Sequence, residues 1–294
     1  MNEHTPSRIR ARPDRPAGDA DDLIEALRRR NVLLFVGAGV SMNLGIPSWA
    51  ELSGLMAEEL GRDPADFRAM GDDQTLAEFY ALERGSIGSL CRWMERAWHE
   101  NAEAKVLGSE VHRLIVRLGF PVIYTTNFDR YLELAHEAHG VPYARVASLG
   151  DLAQAPPGVT QIVKLHGDLS DEASVVLTES SHFERLSLDG PLDVRLRSEL
   201  LTRDALFIGY SLSDVSIRYL IYRLHRLWKG SPHEGVRPRA YVFLGRPNPV
   251  QARVLSNWGI VPLVSEGADI GEGLRKLLEH LHAGAAAGPE VARA

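Results

Sequence analysis

The sequence has a single cysteine, Cys91, among its 294 residues. One cysteine cannot form a disulfide within the chain, and it cannot supply a cysteine-rich zinc site. This scarcity suits a reducing compartment, and we expect the cytoplasm. No apolar run approaches the roughly 20 residues of a membrane-spanning helix, and the polar N-terminus lacks the apolar core of a secretory signal. We therefore expect no membrane association.

An excess of basic charge is also lacking. Lysine and arginine number 33 against 39 aspartates and glutamates, which gives a net charge of −6. Proteins that hold nucleic acid through its phosphates are usually basic, so direct nucleic-acid binding is disfavoured. The phosphate loop G-x-x-x-x-G-K-[ST] and the nucleophile elbow G-x-S-x-G are missing too, and the dinucleotide fingerprint G-x-G-x-x-G fails at Met42.

The sequence does contain a repeated alternation of strand and helix patterns. Short, continuous apolar runs rich in branched residues predict strands that are buried on both faces. These runs lie at residues 32–36, 122–125, 162–165, 205–208, 240–244 and 260–264. Amphipathic helical patterns separate them. The sequence therefore predicts an α/β fold with a Rossmann-like, doubly wound, mostly parallel sheet of about six strands.

The domain organisation follows from composition. Residues 49–108 carry aromatic residues at helical spacing and no convincing strand pattern, which predicts a helical insertion beside the sheet. Residues 1–18 predict a disordered arm, with a partner-binding arm that orders on contact as the alternative. Residues 284–294 predict a tail. One domain would then span residues 19–283.

Polar or glycine residues follow four of the predicted strands and would make a poor core. The segments are Gly37-Ala38-Gly39-Val40-Ser41, Thr126-Asn127-Phe128-Asp129, His166-Gly167-Asp168 and Gly209-Tyr210-Ser211-Leu212. In an open parallel sheet, ligands bind outside the carboxyl ends of the strands. We therefore expect these four strand ends to build one pocket from distant parts of the chain.

Each segment also has a purely structural interpretation. The glycines can serve a tight turn from strand to helix, or they can let backbone N–H groups approach a pyrophosphate. Asn127 can cap a helix that starts near Phe128. Asp214 can cap the next helix or contact a ligand. The convergence of the four segments favours a ligand site over these separate explanations.

A predicted helix near residue 136 carries the residue types of a metal site, namely Glu133, His136, Glu137 and His139. Their spacing is not H-E-x-x-H, so a solvated helix face is the favoured interpretation. We expect no bound metal.

In this order, the motifs resemble those of the Sir2 (sirtuin) superfamily. Gly37-Ala38-Gly39-Val40-Ser41, followed by Gly45-Ile46-Pro47, looks like its NAD-binding loop. Thr125-Thr126-Asn127-Phe128-Asp129 is similar to its T-x-N-x-D segment, and Lys164-Leu165-His166-Gly167-Asp168 to its catalytic histidine segment. Gly209-Tyr210-Ser211-Leu212 resembles the later G-x-S motif that flanks the adenosine side. The resemblance spans roughly residues 20–283.

The chain also departs from the sirtuin deacylases. Those proteins carry a small domain with four zinc-binding cysteines, which a chain with one cysteine cannot build. Ser48-Trp49-Ala50 stands where they have an acidic-Phe-Arg run, and Thr126 stands where they have Gln. The pattern is closer to a bacterial Sir2-like group that resembles the effector domains of anti-phage systems.

The resemblance implies an NAD+ hydrolase that forms ADP-ribose and nicotinamide as an anti-phage effector. It implies catalytic roles for Asn127, His166 and Asp129, with NAD+ as the substrate and no metal. The residues it implies for NAD+ binding are Gly37, Ala38, Gly39, Ser41, Pro47, Thr126, Gly209, Ser211 and Leu212. The alternatives are an NAD-dependent protein deacylase or ADP-ribosyltransferase, and a non-catalytic module that senses NAD or ADP-ribose.

Regulation is expected because an unrestrained NAD+ hydrolase would deplete its own cell. The resembling region fills nearly the whole chain. We therefore expect control by homo-oligomerisation or by a separate sensor or ATPase protein, of the HerA or Argonaute type that often accompanies such effectors.

Overall fold

The computed structural model of the protein describes residues 20–42, 44–210, 215–265 and 269–287. Within them the chain forms a parallel sheet of seven strands. The strands are β1 Val32–Val36, β2 Val122–Thr125, β3 Tyr143–Val146, β4 Thr160–Lys164, β5 Asp204–Ile208, β6 Ala240–Leu244 and β7 Ile260–Val264.

The strand order is β3-β4-β2-β1-β5-β6-β7, and every neighbouring pair is parallel. The chain builds one half of the sheet outward from β1 and then returns to place β5 on the other side of β1. Winding therefore reverses between β1 and β5, which puts the topological switch point there. The predicted doubly wound α/β fold is confirmed.

The strand that the sequence did not predict is β3, at the edge of the sheet. Two of its residues are half-buried, Arg145 is exposed and Val146 is buried. An edge strand has a neighbour on one side only, so it needs no continuous apolar run. A continuous apolar run, the pattern that identifies strands buried on both faces, is therefore missing from β3, and the sequence does not reveal this strand.

The described residues form fifteen α-helices, some of which cover the two faces of the sheet. They are α1 Ala20–Arg28, α2 Ala38–Met42, α3 Trp49–Glu59, α4 Pro64–Arg68, α5 Asp73–Arg84, α6 Gly88–His99, α7 Ala102–Leu107, α8 Glu110–Leu118, α9 Tyr131–Ala138, α10 Leu149–Gln154, α11 Glu179–Arg185, α12 Pro191–Leu200, α13 Val215–Trp228, α14 Pro249–Asn257 and α15 Ile270–Ala286.

Strand β1 shows why the sheet is buried on both faces. Its alternate residues Val32, Leu34 and Val36 pack into one apolar layer with α1, α8 and α15. Leu33 and Phe35 pack into the opposite layer with α12, α13 and α14. Side chains alternate across a strand, so a strand covered on both faces must be apolar at every position.

Residues 49–108 hold helices α3 to α7 and no strand. The Ser48 side chain accepts from the backbone N–H of Glu51, whose carboxylate accepts from the Ser48 N–H in return. This capping box explains where α3 begins. The segment has an apolar core of its own, which includes Met56, Tyr80 and Met94 and packs on loop residues rather than on the sheet strands.

The structure describes the two predicted terminal segments to different extents. Residues 1–18, the predicted arm, lie outside the described residues. At the other end α15 runs to Ala286, so residues 284–286 are helical rather than part of a tail. Two contacts with α1 hold them: the Arg28 guanidinium donates to the Gly284 carbonyl at 2.8 Å, and Ile24 packs against Gly284. Residues 288–294 of the predicted tail are not described.

Candidate active site

A cavity of about 660 Å³ lies at the carboxyl ends of β1, β2, β4 and β5, beside the switch point. Parallel α/β sheets bind ligands at this place, and the volume is typical of small-molecule sites. The predicted site residues that line it are Ala38, Gly39, Ser41, Pro47, Thr126, Asn127, Asp129, His166 and Gly209. The predicted residues Ser211 and Leu212, and the alternative cap Asp214, lie outside the described part of the chain.

The glycines after β1 allow two turns to touch. The Gly39 N–H donates to the Gly209 carbonyl at 2.9 Å. A Cβ on Gly37 would lie 2.4 Å from that same carbonyl oxygen, and a Cβ on Gly209, which has φ of 59°, would strike Val40. Close packing of the two turns therefore requires these glycines. Ala38 and Gly39 line the cavity, whereas Gly37 lies behind this lining and contributes through packing.

Asn127 is held between the ends of β1 and β2. Its Nδ2 donates to Ser41 Oγ at 3.2 Å, and its backbone N–H donates to Thr125 Oγ1 at 3.0 Å. The Thr125 hydroxyl in turn donates to the Val36 carbonyl at 2.9 Å. Helix α9 begins at Tyr131, so Asn127 does not cap a helix that starts near Phe128. The carboxamide is instead fixed in the cavity wall.

Asp129 provides the local hydrogen bond that precedes α9. Its Oδ1 accepts from the Tyr131 N–H at 3.0 Å, and the side chain is buried yet lines the cavity. Burial and the nearby Asp129 carboxylate raise the pKa of the Tyr131 phenol to about 12. Tyr131 is therefore a hydrogen-bond donor at neutral pH, and its hydroxyl donates to the Trp98 carbonyl at 2.8 Å.

Beneath the cavity lies a buried cation, Lys164, the last residue of β4, which is 0% exposed. Its Nζ donates to the carbonyl oxygens of Phe128 at 2.9 Å and Asp129 at 3.0 Å. The same Nζ lies 2.9 Å from Asp168 Oδ2 and 3.6 Å from Glu133 Oε1. A single ammonium group thus ties the loop that follows β2 to the turn that follows β4.

The pKa values of the two carboxyl groups around Lys164 shift in opposite directions. Burial acts to raise the pKa of Asp168, but the charge of Lys164 and hydrogen bonds from Ser170 outweigh it and hold the pKa well below its usual range. Asp168 Oδ2 forms a close ion pair with the Lys164 ammonium at 2.9 Å. Burial dominates at Glu133 and raises its pKa, although Lys164 acts in the other direction.

His166 enters the cavity directly from the end of β4. Its side chain is 8% exposed, and its carbonyl oxygen accepts from the Val176 N–H at 3.0 Å. The chain turns at Gly167, which has φ of 84° and where a Cβ would lie 2.0 Å from the Ser174 carbonyl oxygen. This sharp turn, available only to glycine, lets β4 end with the imidazole directed to the cavity wall.

Sequence reasoning missed some side chains of the cavity wall, among them Gln74, Trp98 and His182. His182 contacts the ring of His166 edge to face. It lies on α11, where no residue is buried, so the helix carries no apolar periodicity to mark it. Trp98 packs in the core of the insertion as well as in the wall.

The helix considered as a metal site is only in part the solvated face that the sequence suggested, since Glu137 is exposed and His139 is half-buried. Glu133 and His136 are both buried, Glu133 beside Lys164 and His136 with its Nδ1 2.8 Å from the Leu132 carbonyl. Across the described residues, no group of three or more His, Cys, Asp or Glu side chains has the arrangement of a metal site. None of the helices in the described ranges combines the length and apolarity needed to cross a bilayer.

The cavity combines groups that suit polar chemistry on a bound ligand. An imidazole acts as a base near neutral pH, and a carboxamide both donates and accepts hydrogen bonds. His166, Asn127 and the Asp129 carboxylate share the wall with apolar surface from Ile46 and Leu52. Together they can orient a hydroxyl group or a water molecule and take its proton.

Known proteins are similar to this chain in sequence. Residues 121–263 match the family model described as SIR2-like domain. The chain is 34% identical over 202 residues to the NAD(+) hydrolase ThsA of Enterococcus faecium, a match that covers 67% of this chain and 40% of that protein. It is 23% identical over 239 residues to Defense-associated sirtuin 2 of Bacillus subtilis, which covers 80% of this chain and 23% of the relative.

The chain therefore spans about two fifths of the length of the first relative and less of the second. Among solved structures, a Sir2 homolog in complex with NAD aligns over 90% of this chain and 95% of its own, with a TM-score of 0.49 and 16% sequence identity.

Proposed function

Because this chain carries a SIR2-like domain, as its motifs indicated, we propose that it is an NAD+ hydrolase that acts as an effector of anti-phage defence. The relatives named NAD(+) hydrolase and Defense-associated sirtuin support this function. The observation that carries it is the presence of Asn127, Asp129 and His166 in the wall of a single cavity, next to the glycine turn of β1. NAD+ is then the substrate.

The reaction adds water across the bond between the nicotinamide nitrogen and C1′ of the ribose, which yields ADP-ribose, nicotinamide and one proton. Nicotinamide leaves as a neutral molecule from a cationic pyridinium, so positive charge develops on the ribose as in other glycosidic cleavages. His166 takes the proton of the attacking water, directly or through a ribose hydroxyl. Asn127 holds the ribose hydroxyls or the water, and Asp129 orients the ribose.

Two general effects accelerate the proposed hydrolysis. Reactants held in attack geometry gain several kcal/mol, about 7–11 in the best model systems. A positioned general base adds roughly 10²–10⁴-fold. The buried hydrogen bonds of Asn127 support the first effect, because one holds its backbone N–H on Thr125 and the other holds its carboxamide on Ser41 before substrate arrives.

The remaining wall is assigned to the dinucleotide. The Gly39 N–H is already donated to Gly209, so its contribution is close approach to the pyrophosphate rather than a hydrogen bond. The residues proposed to contact NAD+ are Ala38, Gly39, Ser41, Pro47, Thr126 and Gly209 from the cavity wall, with Ser211 and Leu212 for the adenosine half. Gly37 acts from beneath, through packing.

NAD+ consumption tests the function. Nicotinamide release is measured with the purified chain and in phage-infected bacterial cells that carry it together with its neighbouring genes, for the wild type, Asn127→Ala, His166→Ala and the exposed-residue control His280→Ala. We expect release by the wild type and the control, and a loss of roughly 10²-fold or more in His166→Ala. NAD+ levels unchanged by the wild type in both settings would refute hydrolysis. NAD+ binding without turnover would favour a sensing module. Turnover that occurs only when an acylated peptide is added would favour a deacylase.

Residues 19–283 form the proposed hydrolase domain, in the cytoplasm, where cellular NAD+ is available to it. We propose that its activity is restrained until the chain assembles as a homo-oligomer or until a separate sensor or ATPase protein, of the HerA or Argonaute type, activates it. No direct contact with nucleic acid is expected, in keeping with the net charge of −6.

A further inference from the structure

The cavity wall contains a second histidine that the proposed reaction does not use. His182 lies on α11, and its ring meets the ring of His166 with centroids 5.3 Å apart and planes at 81°. Both side chains line the cavity. Pairs of aromatic rings prefer an edge-to-face contact such as this one to a face-to-face sandwich. The contact therefore limits how the plane of the His166 imidazole can turn within the cavity.

The ring of His182 is itself fixed. Its Nδ1 lies 2.9 Å from the carbonyl oxygen of Thr178, the residue that caps α11. A carbonyl oxygen can only accept, so Nδ1 carries the hydrogen, and Nε2 is the acceptor nitrogen of the neutral ring. A ring bonded to its own helix has little freedom to rotate. The surface that it offers to His166 is thus held in place.

The helix that carries this second histidine is anchored at both ends. The Arg185 guanidinium donates to the carbonyl oxygen of Leu165, the residue before His166. Near its start, the Ser180 N–H donates to the carboxylate of Glu78 at 2.9 Å. Because the first of these bonds joins α11 to the end of β4, the two histidines sit on elements that are fastened to each other.

We propose that His182 is a positioning residue for His166, which it holds in the orientation that accepts the proton of the attacking water. This role rests on the proposed hydrolysis of NAD+. It requires a ring at position 182, whereas a direct polar contact with substrate would require a ring nitrogen. His182→Phe keeps the ring and removes the nitrogens, and His182→Ala removes both, so the pair of variants separates the two roles.

The first test measures kcat and KM for NAD+ hydrolysis by the wild type, His182→Ala, His182→Phe and the exposed control His280→Ala, with the Tm of each variant recorded to confirm folding. We expect His182→Ala to lower kcat about 10- to 100-fold and to change KM less than about twofold. His182→Phe keeps the ring but loses the bond to Thr178, so it should recover part of kcat. A raised KM at unchanged kcat, or a His182→Phe variant as defective as His182→Ala, would overturn the positioning role.

The second test needs no turnover. Histidine ring signals are recorded by NMR in the unliganded chain, and those of His166 are assigned by their loss in His166→Ala. We expect them to move in His182→Ala and to return toward the wild-type position in His182→Phe. A chain that shows this pattern but cleaves no NAD+ refutes the hydrolase and retains the ring contact. Unmoved His166 signals in His182→Ala would refute the positioning role whether or not NAD+ is cleaved.

Discussion

Lys164→Met keeps the apolar stem of a fully buried side chain and removes its ammonium group. The carbonyl oxygens of Phe128 and Asp129 then lose a donor, and Asp168 loses a cation that lies 2.9 Å away. Removal of one partner from a buried ion pair costs roughly 3–5 kcal/mol. We expect the free energy of unfolding to fall by about 3 kcal/mol, the lower end of that range, because Arg145 remains 3.3 Å from Asp168.

Urea unfolding at pH 7, followed by circular dichroism, measures this loss. Lys276→Met is the matched control, because that side chain is 69% exposed, and we expect its effect to stay within about 0.5 kcal/mol. The double variant Lys164→Met/Asp168→Asn should recover part of the loss, since it also removes the carboxylate that lost its cation. A Lys164→Met variant as stable as Lys276→Met would refute the reasoning that this ammonium joins the two loops.

Two further predictions concern stability. An alanine at Gly37 would place its Cβ 2.4 Å from the Gly209 carbonyl oxygen, so Gly37→Ala should lower the free energy of unfolding by about 1–3 kcal/mol. Gly54→Ala in α3, where a Cβ meets nothing within 4 Å, should raise it by about 0.5–1 kcal/mol. Burial lowers the pKa of His112 to about 4, although Asp129 acts to raise it. The unfolded chain, with a pKa near 6.5 for this residue, therefore binds the proton first as pH falls, and about 2 kcal/mol of stability should be lost between pH 7 and 5.

Urea unfolding at pH 7 measures the effects of the two glycine variants, and its repetition at pH 5 measures the loss assigned to His112. Gly37→Ala and Gly54→Ala with the same sign of effect would contradict the packing explanation. His112→Phe should lose less stability between pH 7 and 5 than the wild type does. Equal pH dependence in the two proteins would contradict the assignment of that loss to His112.

The sequence was sufficient for the elements that are buried on both faces. A strand such as β1, with every residue at 0% exposure, has to be apolar throughout, and that run is visible without a structure. The polar residues after such strands were equally visible, and parallel topology brought nine of the predicted site residues into one cavity wall.

Other features depend on contacts between distant segments. His182 belongs to a helix with no buried residue, and its place beside His166 arises from the anchoring of α11. Lys164 was recognised as part of a motif, but nothing in the local pattern indicates a cation that is 0% exposed. Glu133 was expected on a solvated helix face because the spacing of its neighbours is not H-E-x-x-H, whereas it is buried beside the Lys164 ammonium.

The backbone contact between the turns after β1 and β5 has a mechanical consequence. The Gly39 N–H and the Gly209 carbonyl join the two turns with no side chain between them, so backbone contact alone sets the spacing of the two turns on this rim of the crevice. The opposite rim is formed by the insertion, whose apolar core packs on loops. Trp49, Leu52 and Trp98 on that rim line the cavity, and Leu52 and Trp98 also belong to the apolar core of the insertion, so the packing of these helices sets the shape of this side of the cavity.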